Sequence, residues 1–280
     1  MQKSISYWAF PCGAEGTKNI GEAMREAKDA GFEAIELCAG ETGILSLSSD
    51  ERQVCAIAAE ARKIGIGIAG IALGLGWKYS LTSSDPAMRE KAKDVVRKGL
   101  QIAAWAGTDG VLVIPGVVCC VFSKERAPYD AAWQRSLDAM KELAPTAEKH
   151  KAAVCVENVW NGFLLSPLEM REFIDTVGSP YVGVYFDVGN VVVSGYPEDW
   201  IRILGKRIRK VHLKDFKREV GNLNGFVDLL KGDVNYREVM AVLRETGYDG
   251  PLTAEVFPPA DHPERLIATT AAAVKKIASY

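Results

Sequence analysis

Eight short, largely apolar runs alternate with eight helical stretches along the 280 residues, and this alternation restricts the chain more than any other feature. The runs fall at 4–10, 34–38, 66–72, 110–114, 154–158, 182–187, 210–214 and 252–256. Their length and β-branched content read as strands. Strands that are apolar throughout must be covered on both faces, which is the condition of a parallel sheet wrapped in helices. The helices are expected at 17–30, 50–63, 85–106, 131–150, 167–177, 197–204, 235–246 and 263–279. Ser166-Pro167 supplies a cap followed by a first-turn proline, and Gly178 can end that helix. Asn235 is a cap for the helix that ends near Gly247. Eight such units predict an α/β fold, a closed (β/α)8 TIM barrel, with residues 1–280 forming a single domain. A doubly wound open sheet is the alternative. It would bring a glycine-rich turn after the first strand, which Phe10-Pro11-Cys12-Gly13 matches poorly.

Four of these runs carry a potential metal ligand. Glu157 follows Val154-Cys155-Val156, Asp187 follows Val184-Tyr185-Phe186, His212 sits between Val211 and Leu213, and Glu255 between Ala254 and Val256. An ionised carboxylate does not sit in an apolar strand unless something compensates its charge. One instance is unremarkable, but four in consecutive strands predict that the strand ends converge on one cation. Barrel active sites lie at the C-terminal strand ends, where Glu157, Asp187 and Glu255 fall. Three carboxylates and one imidazole suit one divalent cation, Mn²⁺ first, with Mg²⁺ or Co²⁺ as alternatives, better than structural zinc. Each residue also has a bland reading: a salt-bridged glutamate, a satisfied core histidine, an aspartate that organises a turn.

Composition excludes other classes. A net charge of −2 gives no basic footprint for nucleic acid or an anionic membrane. No run approaches the roughly 18–20 apolar residues of a membrane span. The start, Met1-Gln2-Lys3-Ser4-Ile5, lacks the long apolar segment of a secretory signal, so a cytoplasmic protein is expected. Cys12, Cys38, Cys55, Cys119, Cys120 and Cys155 form no CxxC pair and are expected to be reduced and mostly buried.

At Val156-Glu157-Asn158, Phe186-Asp187-Val188-Gly189-Asn190, Val211-His212-Leu213-Lys214-Asp215 and Glu255, the sequence resembles the sugar isomerase/epimerase superfamily of barrels. That group includes ketose and ketose-phosphate 3-epimerases, hydroxypyruvate and xylose isomerases, inosose dehydratases and type IV apurinic endonucleases. The resemblance implies that the four positions hold one divalent cation and that Glu157 and Glu255 are also the acid/base pair. It implies a small-molecule sugar or sugar phosphate as partner, and Arg218, six residues after His212, as a substrate contact. Asn190 stands where free-ketose epimerases commonly have a histidine, and Phe163 where they often have a glutamate. The Asp-Val-Gly-Asn form is closer to the ketulose-phosphate branch.

The chemistry this implies is inversion at C3 of a ketose or ketose phosphate. A cation polarises the carbonyl and stabilises an enediolate, and two glutamates exchange protons with its two faces. An aldose–ketose isomerase, an inosose dehydratase and a non-catalytic sugar-binding barrel are the alternatives. Asn190 is a candidate for a substrate hydroxyl, and Trp8, Phe10, Trp77 and Trp160 for an apolar wall against the sugar. Glu36 is a candidate partner for a ligand, and Lys231, Gly232 and Asp233 for a phosphate. His150 and His262 are expected to lie outside the site. The apolar run 116–122 is expected to be either a lid or a contact between copies in a homo-oligomer.

Overall fold

The computed structural model describes residues 1–122, 124–259 and 261–280. Eight parallel strands close into a barrel: β1 (Gln2–Ser6), β2 (Ala34–Cys38), β3 (Gly67–Ala72), β4 (Gly110–Val113), β5 (Ala153–Glu157), β6 (Val182–Asp187), β7 (Ile208–Leu213) and β10 (Pro251–Ala254). β8 (Asp215–Phe216) and β9 (Phe226–Val227) form a separate antiparallel ladder after β7. The seam closes where β1 pairs with β10 on one side, Gln2 opposite Pro251, and with β2 on the other, Ser4 opposite Ala34.

The outer helices are α1 (Ile20–Ala30), α2 (Glu51–Ile64), α3 (Pro86–Ala106), α4 (Tyr129–His150), α5 (Pro167–Val177), α6 (Pro197–Leu204), α7 (Tyr236–Glu245) and α8 (Leu266–Ala278). Their ends follow local chemistry. Asn19, Asp50, Asp85, Ser166 and Asn235 each accept a first-turn backbone N–H, and Asp50 forms a full capping box with Gln53. Inward helix faces and outward strand faces form one core, with Leu100, Leu143, Phe173, Val211 and Leu243 inaccessible to solvent.

Two differences from the expected elements matter. The first strand ends at Ser6, not at 10, because the Ser6 hydroxyl caps a 3₁₀ turn over Tyr7–Ala9 by accepting the Trp8 N–H. That turn brings Trp8 to the mouth and puts Phe10 in the core, so Phe10 is no part of a sugar-facing wall. The thiols also differ. All six cysteines are free, but only Cys155 is buried, while Cys12, Cys55 and Cys119 are exposed on loops and a helix surface. Among the described residues, no helix is long and apolar enough to cross a membrane.

Candidate metal centre and cavity

Parallel pairing sets the register that builds the centre. Asp187 ends β6 directly opposite His212 of β7, and His212 lies opposite Thr253, two residues before Glu255. Glu157 ends β5, the neighbour of β6. The side chains of Glu157, Asp187, His212 and Glu255 are all buried, and each offers a ligand atom within 4.8 Å of the other three. His212 Nδ1 lies 2.7 Å from Glu255 Oε2, 3.5 Å from Glu157 Oε1 and 4.0 Å from Asp187 Oδ2.

The surroundings aim these atoms. Glu36 is fully buried on β2 and accepts the His212 Nε2–H with both oxygens, at 3.0 and 3.1 Å, while the Tyr185 hydroxyl also donates to it. Holding the Nε2–H turns Nδ1 toward the carboxylates, so that Nδ1 is the atom a bound ion would take once it has lost its proton. Asn158 clamps the end of β6: its amide donates to the Asp187 carbonyl at 2.8 Å and accepts the Asp187 N–H at 2.9 Å. Asp187 Oδ1 accepts the Asn190 N–H at 2.8 Å, which leaves Oδ2 facing inward. Gly189 is required here, since a Cβ would meet the Lys214 carbonyl oxygen at 2.6 Å.

The donor set fits a divalent ion. Asp187 Oδ2 and His212 Nδ1 are buried and make no well-directed hydrogen bond within the protein, only the ion-pair contacts to Lys214 and Glu255, so a bound ion would satisfy both. Ligands about 2.1 Å from one ion lie no more than about 4.2 Å apart, so a small contraction of the cluster would close the shell. Three carboxylate oxygens and one imidazole nitrogen form a hard set.

The charges of the cluster are strongly coupled. Burial, with the Glu255 charge, pushes the Glu157 carboxyl up to about 7 against the pull of His212. Burial acts in the same direction on Glu255, but the adjacent Lys214 and His212 charges outweigh it and hold that carboxyl down at about 2. Burial disfavours the charged imidazole, yet Glu36, Glu255 and Glu157 together raise His212 well above its ordinary value.

Lys214 is the member of the site that sequence reasoning missed. Its ammonium lies 3.1 Å from Glu255 Oε1 and 3.2 Å from Asp187 Oδ2. A lysine at the end of a strand reads as the start of a polar loop. The available signal was its spacing of two from His212, which places both on one face of an extended chain.

The centre opens into a cavity of about 430 Å³. Trp8, Trp77, Trp160 and Asn190 border it, together with Glu157, Glu255 and Lys214. The Asn190 amide also donates to the Asn158 carbonyl at 3.0 Å. Phe122, from the expected lid run, reaches the cavity edge and meets Trp77 edge-on at 5.3 Å. Arg218 does not border it. Its guanidinium donates to the Gly195 carbonyl at 2.9 Å and lies over the Tyr196 ring. Lys231 pairs with Asp228 at 2.9 Å, and the Gly232 N–H is given to Asp215. The expected phosphate contact at 231–233 is thus engaged internally. His150 lies at the end of α4, and His262 is exposed beside Glu264.

The chain is thus a closed (β/α)8 barrel with a four-residue candidate metal centre at the C-terminal ends of its strands. Residues 24–277 match the xylose isomerase-like TIM barrel family, and the chain belongs to it. The L-ribulose-5-phosphate 3-epimerase UlaE of Salmonella paratyphi C (strain RKS4594) is 25% identical over 249 residues, 84% of this chain and 81% of that protein. The D-psicose 3-epimerase of Clostridium cellulolyticum H10, solved with D-tagatose, superposes with a TM-score of 0.80 at 17% identity, covering 100% of this chain and 99% of that one. A D-allulose 3-epimerase from Methylomonas sp., solved with D-allulose, gives 0.77 at 20% identity over 99% and 96%. The structural likenesses carry the fold.

Proposed function

We propose that this protein is a divalent-metal-dependent isomerase that inverts C3 of a ketose or ketose phosphate, with residues 1–280 acting as one catalytic domain. One observation carries the reading: two glutamates and two further ligands, buried together, open onto a cavity large enough for a sugar. The sequence relatives and solved neighbours named above are ketose 3-epimerases, which supports C3 as the reacting carbon.

Glu157, Asp187, His212 and Glu255 would hold the ion. When bound, a divalent cation acts as a Lewis acid on the carbonyl and neighbouring hydroxyl oxygens, with Mn²⁺ the preferred occupant. Glu157 and Glu255 come from β5 and β10, separated around the rim by β6 and β7, so they approach the cavity from two sides. One removes the C3 proton and the other returns a proton to the opposite face of the planar enediolate, with the roles exchanged for the reverse direction. Lys214 supplies a fixed positive charge where negative charge develops on the substrate oxygens. Trp8 and Trp160 exclude water and pack against the carbon face of the sugar.

The test is a ketose panel incubated with the Mn²⁺-loaded protein in D₂O. Deuterium at C3 is the expected result, while exchange at C1 alone would redirect the assignment to aldose–ketose isomerisation. Glu157→Gln should keep its metal and lose about 10²–10⁴-fold in exchange rate. His212→Ala should fold and lose metal. Undiminished turnover in either variant overturns the assignment.

A further inference from the structure

Beyond the candidate metal centre, the lining of the cavity is aromatic and poor in the cations that a sugar phosphate would require. Three aromatic pairs surround it: Trp8 stacks on Phe257 with ring centres 6.2 Å apart, Trp77 meets Phe122 at 5.3 Å, and Trp160 meets Phe226 at 5.4 Å. Among the described residues that line it, Lys214 is the one cation. That ammonium is committed to Asp187 and Glu255 and lies 5.3 Å from the centre of the Phe226 ring. The remaining charge on the distal lining is the Asp228 carboxylate, whose counterion Lys231 faces it at 2.9 Å. The indole N–H of Trp160 is spent on the Asn190 carbonyl, at 2.9 Å.

A phosphate ester brings about two negative charges and needs cations or free N–H donors. A bare polyol tail needs hydrogen-bond partners, since a hydroxyl desolvated without one is left unsatisfied. The distal cavity offers mainly aromatic surface, which rewards an apolar group and is most favourable to a ring that can stack or meet an edge.

We propose that the substrate is an uncharged ketose carrying an apolar substituent, aryl or alkyl, on the carbons farthest from the carbonyl, and that sugar phosphates are disfavoured. This rests on the epimerase reading for the reacting end of the molecule. The three aromatic pairs select the other end.

Three probes share one reacting end and differ at C6: D-fructose, D-fructose 6-phosphate and 6-O-benzyl-D-fructose. Binding to the Mn²⁺-loaded full chain, measured by calorimetry, should be at least about tenfold tighter for the benzyl ether than for fructose, and weakest for the phosphate. Trp77→Leu and Phe226→Leu should each remove most of the benzyl advantage while metal content stays unchanged. Trp77 is partly exposed on a 3₁₀ turn outside the barrel wall, so its replacement spares the core. A phosphate that binds more tightly than fructose overturns the proposal, as does a benzyl ether that binds no better. Deuterium exchange at C3, followed in parallel, reads the epimerase assignment separately. Absence of exchange with all three probes sinks that assignment, while the binding order still decides the substrate class.

Discussion

Glu36 determines which nitrogen of His212 faces the cluster. With the Nε2–H held between both Glu36 oxygens, Nδ1 is the atom presented to an ion. Outer partners of this kind are typically worth 10–100-fold in metal affinity, so Glu36→Gln should weaken Mn²⁺ binding by about that factor, read by competition with a fluorescent chelator. Lys214 does a different job. It offsets part of the negative charge of the cluster, and removing it leaves buried carboxylates uncompensated. Lys214→Met should cost the metal-free protein about 3 kcal/mol, with a smaller loss in the Mn²⁺-loaded protein, because the ion takes over the same neutralising role. Thermal unfolding with and without Mn²⁺ checks this, and equal losses in the two forms would contradict it. The metal-free imidazole carries a proton because its carboxylate neighbours raise it well above its ordinary value. Metal uptake must displace that proton, so affinity should strengthen as pH rises and fall off on acidification, with proton release visible in calorimetry across buffers of different ionisation enthalpy.

The strands and helices were largely legible in the sequence, and the reasons are local. α5 (Pro167–Val177) and α6 (Pro197–Leu204) match their expected spans because a first-turn proline marks each start and a glycine each end. The four clustered side chains could be found because each is a charge or imidazole in an apolar run. What escaped was built from contacts distant in sequence or from pieces too short to carry a period. The β8–β9 ladder is one such piece, two residues on each side, and it presents Phe226 to the cavity. It is anchored by Asp215, fully buried, which accepts the N–H groups of Phe216, Gly232 and Val234 at 2.9, 3.0 and 3.2 Å. Gly232 has no room for a side chain, since a Cβ would meet Asp215 Oδ1 at 2.2 Å. Asp215→Ala leaves three donors without their acceptor, at up to about 1–3 kcal/mol for the buried Phe216 N–H and less for the half-buried Gly232 and Val234 N–H groups, which water can partly satisfy. Its midpoint temperature should fall by several degrees and hydrogen exchange across 215–233 should accelerate, while the metal ligands themselves remain in place. Arg218 was inferred from resemblance alone, and its contacts with Gly195 and Tyr196 show why spacing from His212 could not fix its direction.

For the barrel as a unit, the ion would join strands that are already hydrogen-bonded neighbours, from β5 through β6 and β7 to β10. An ion that binds only the folded state adds stability by mass action, about 2.7 kcal/mol at a hundred times its dissociation constant. For a domain of this size that corresponds to roughly 5–10 °C in midpoint temperature, so chelation with EDTA should lower it by that amount and Mn²⁺ should restore it. β10, which pairs with β7 on one edge and β1 on the other, is both the stave that completes the ring and the one followed at once by Glu255. During synthesis, therefore, the nascent chain exposes Glu157, Asp187 and His212 long before the fourth grip emerges from the ribosome. The grip of all four side chains on an ion would thus be complete only once β10 has joined the two ends of the wall, and would then latch the cylinder shut.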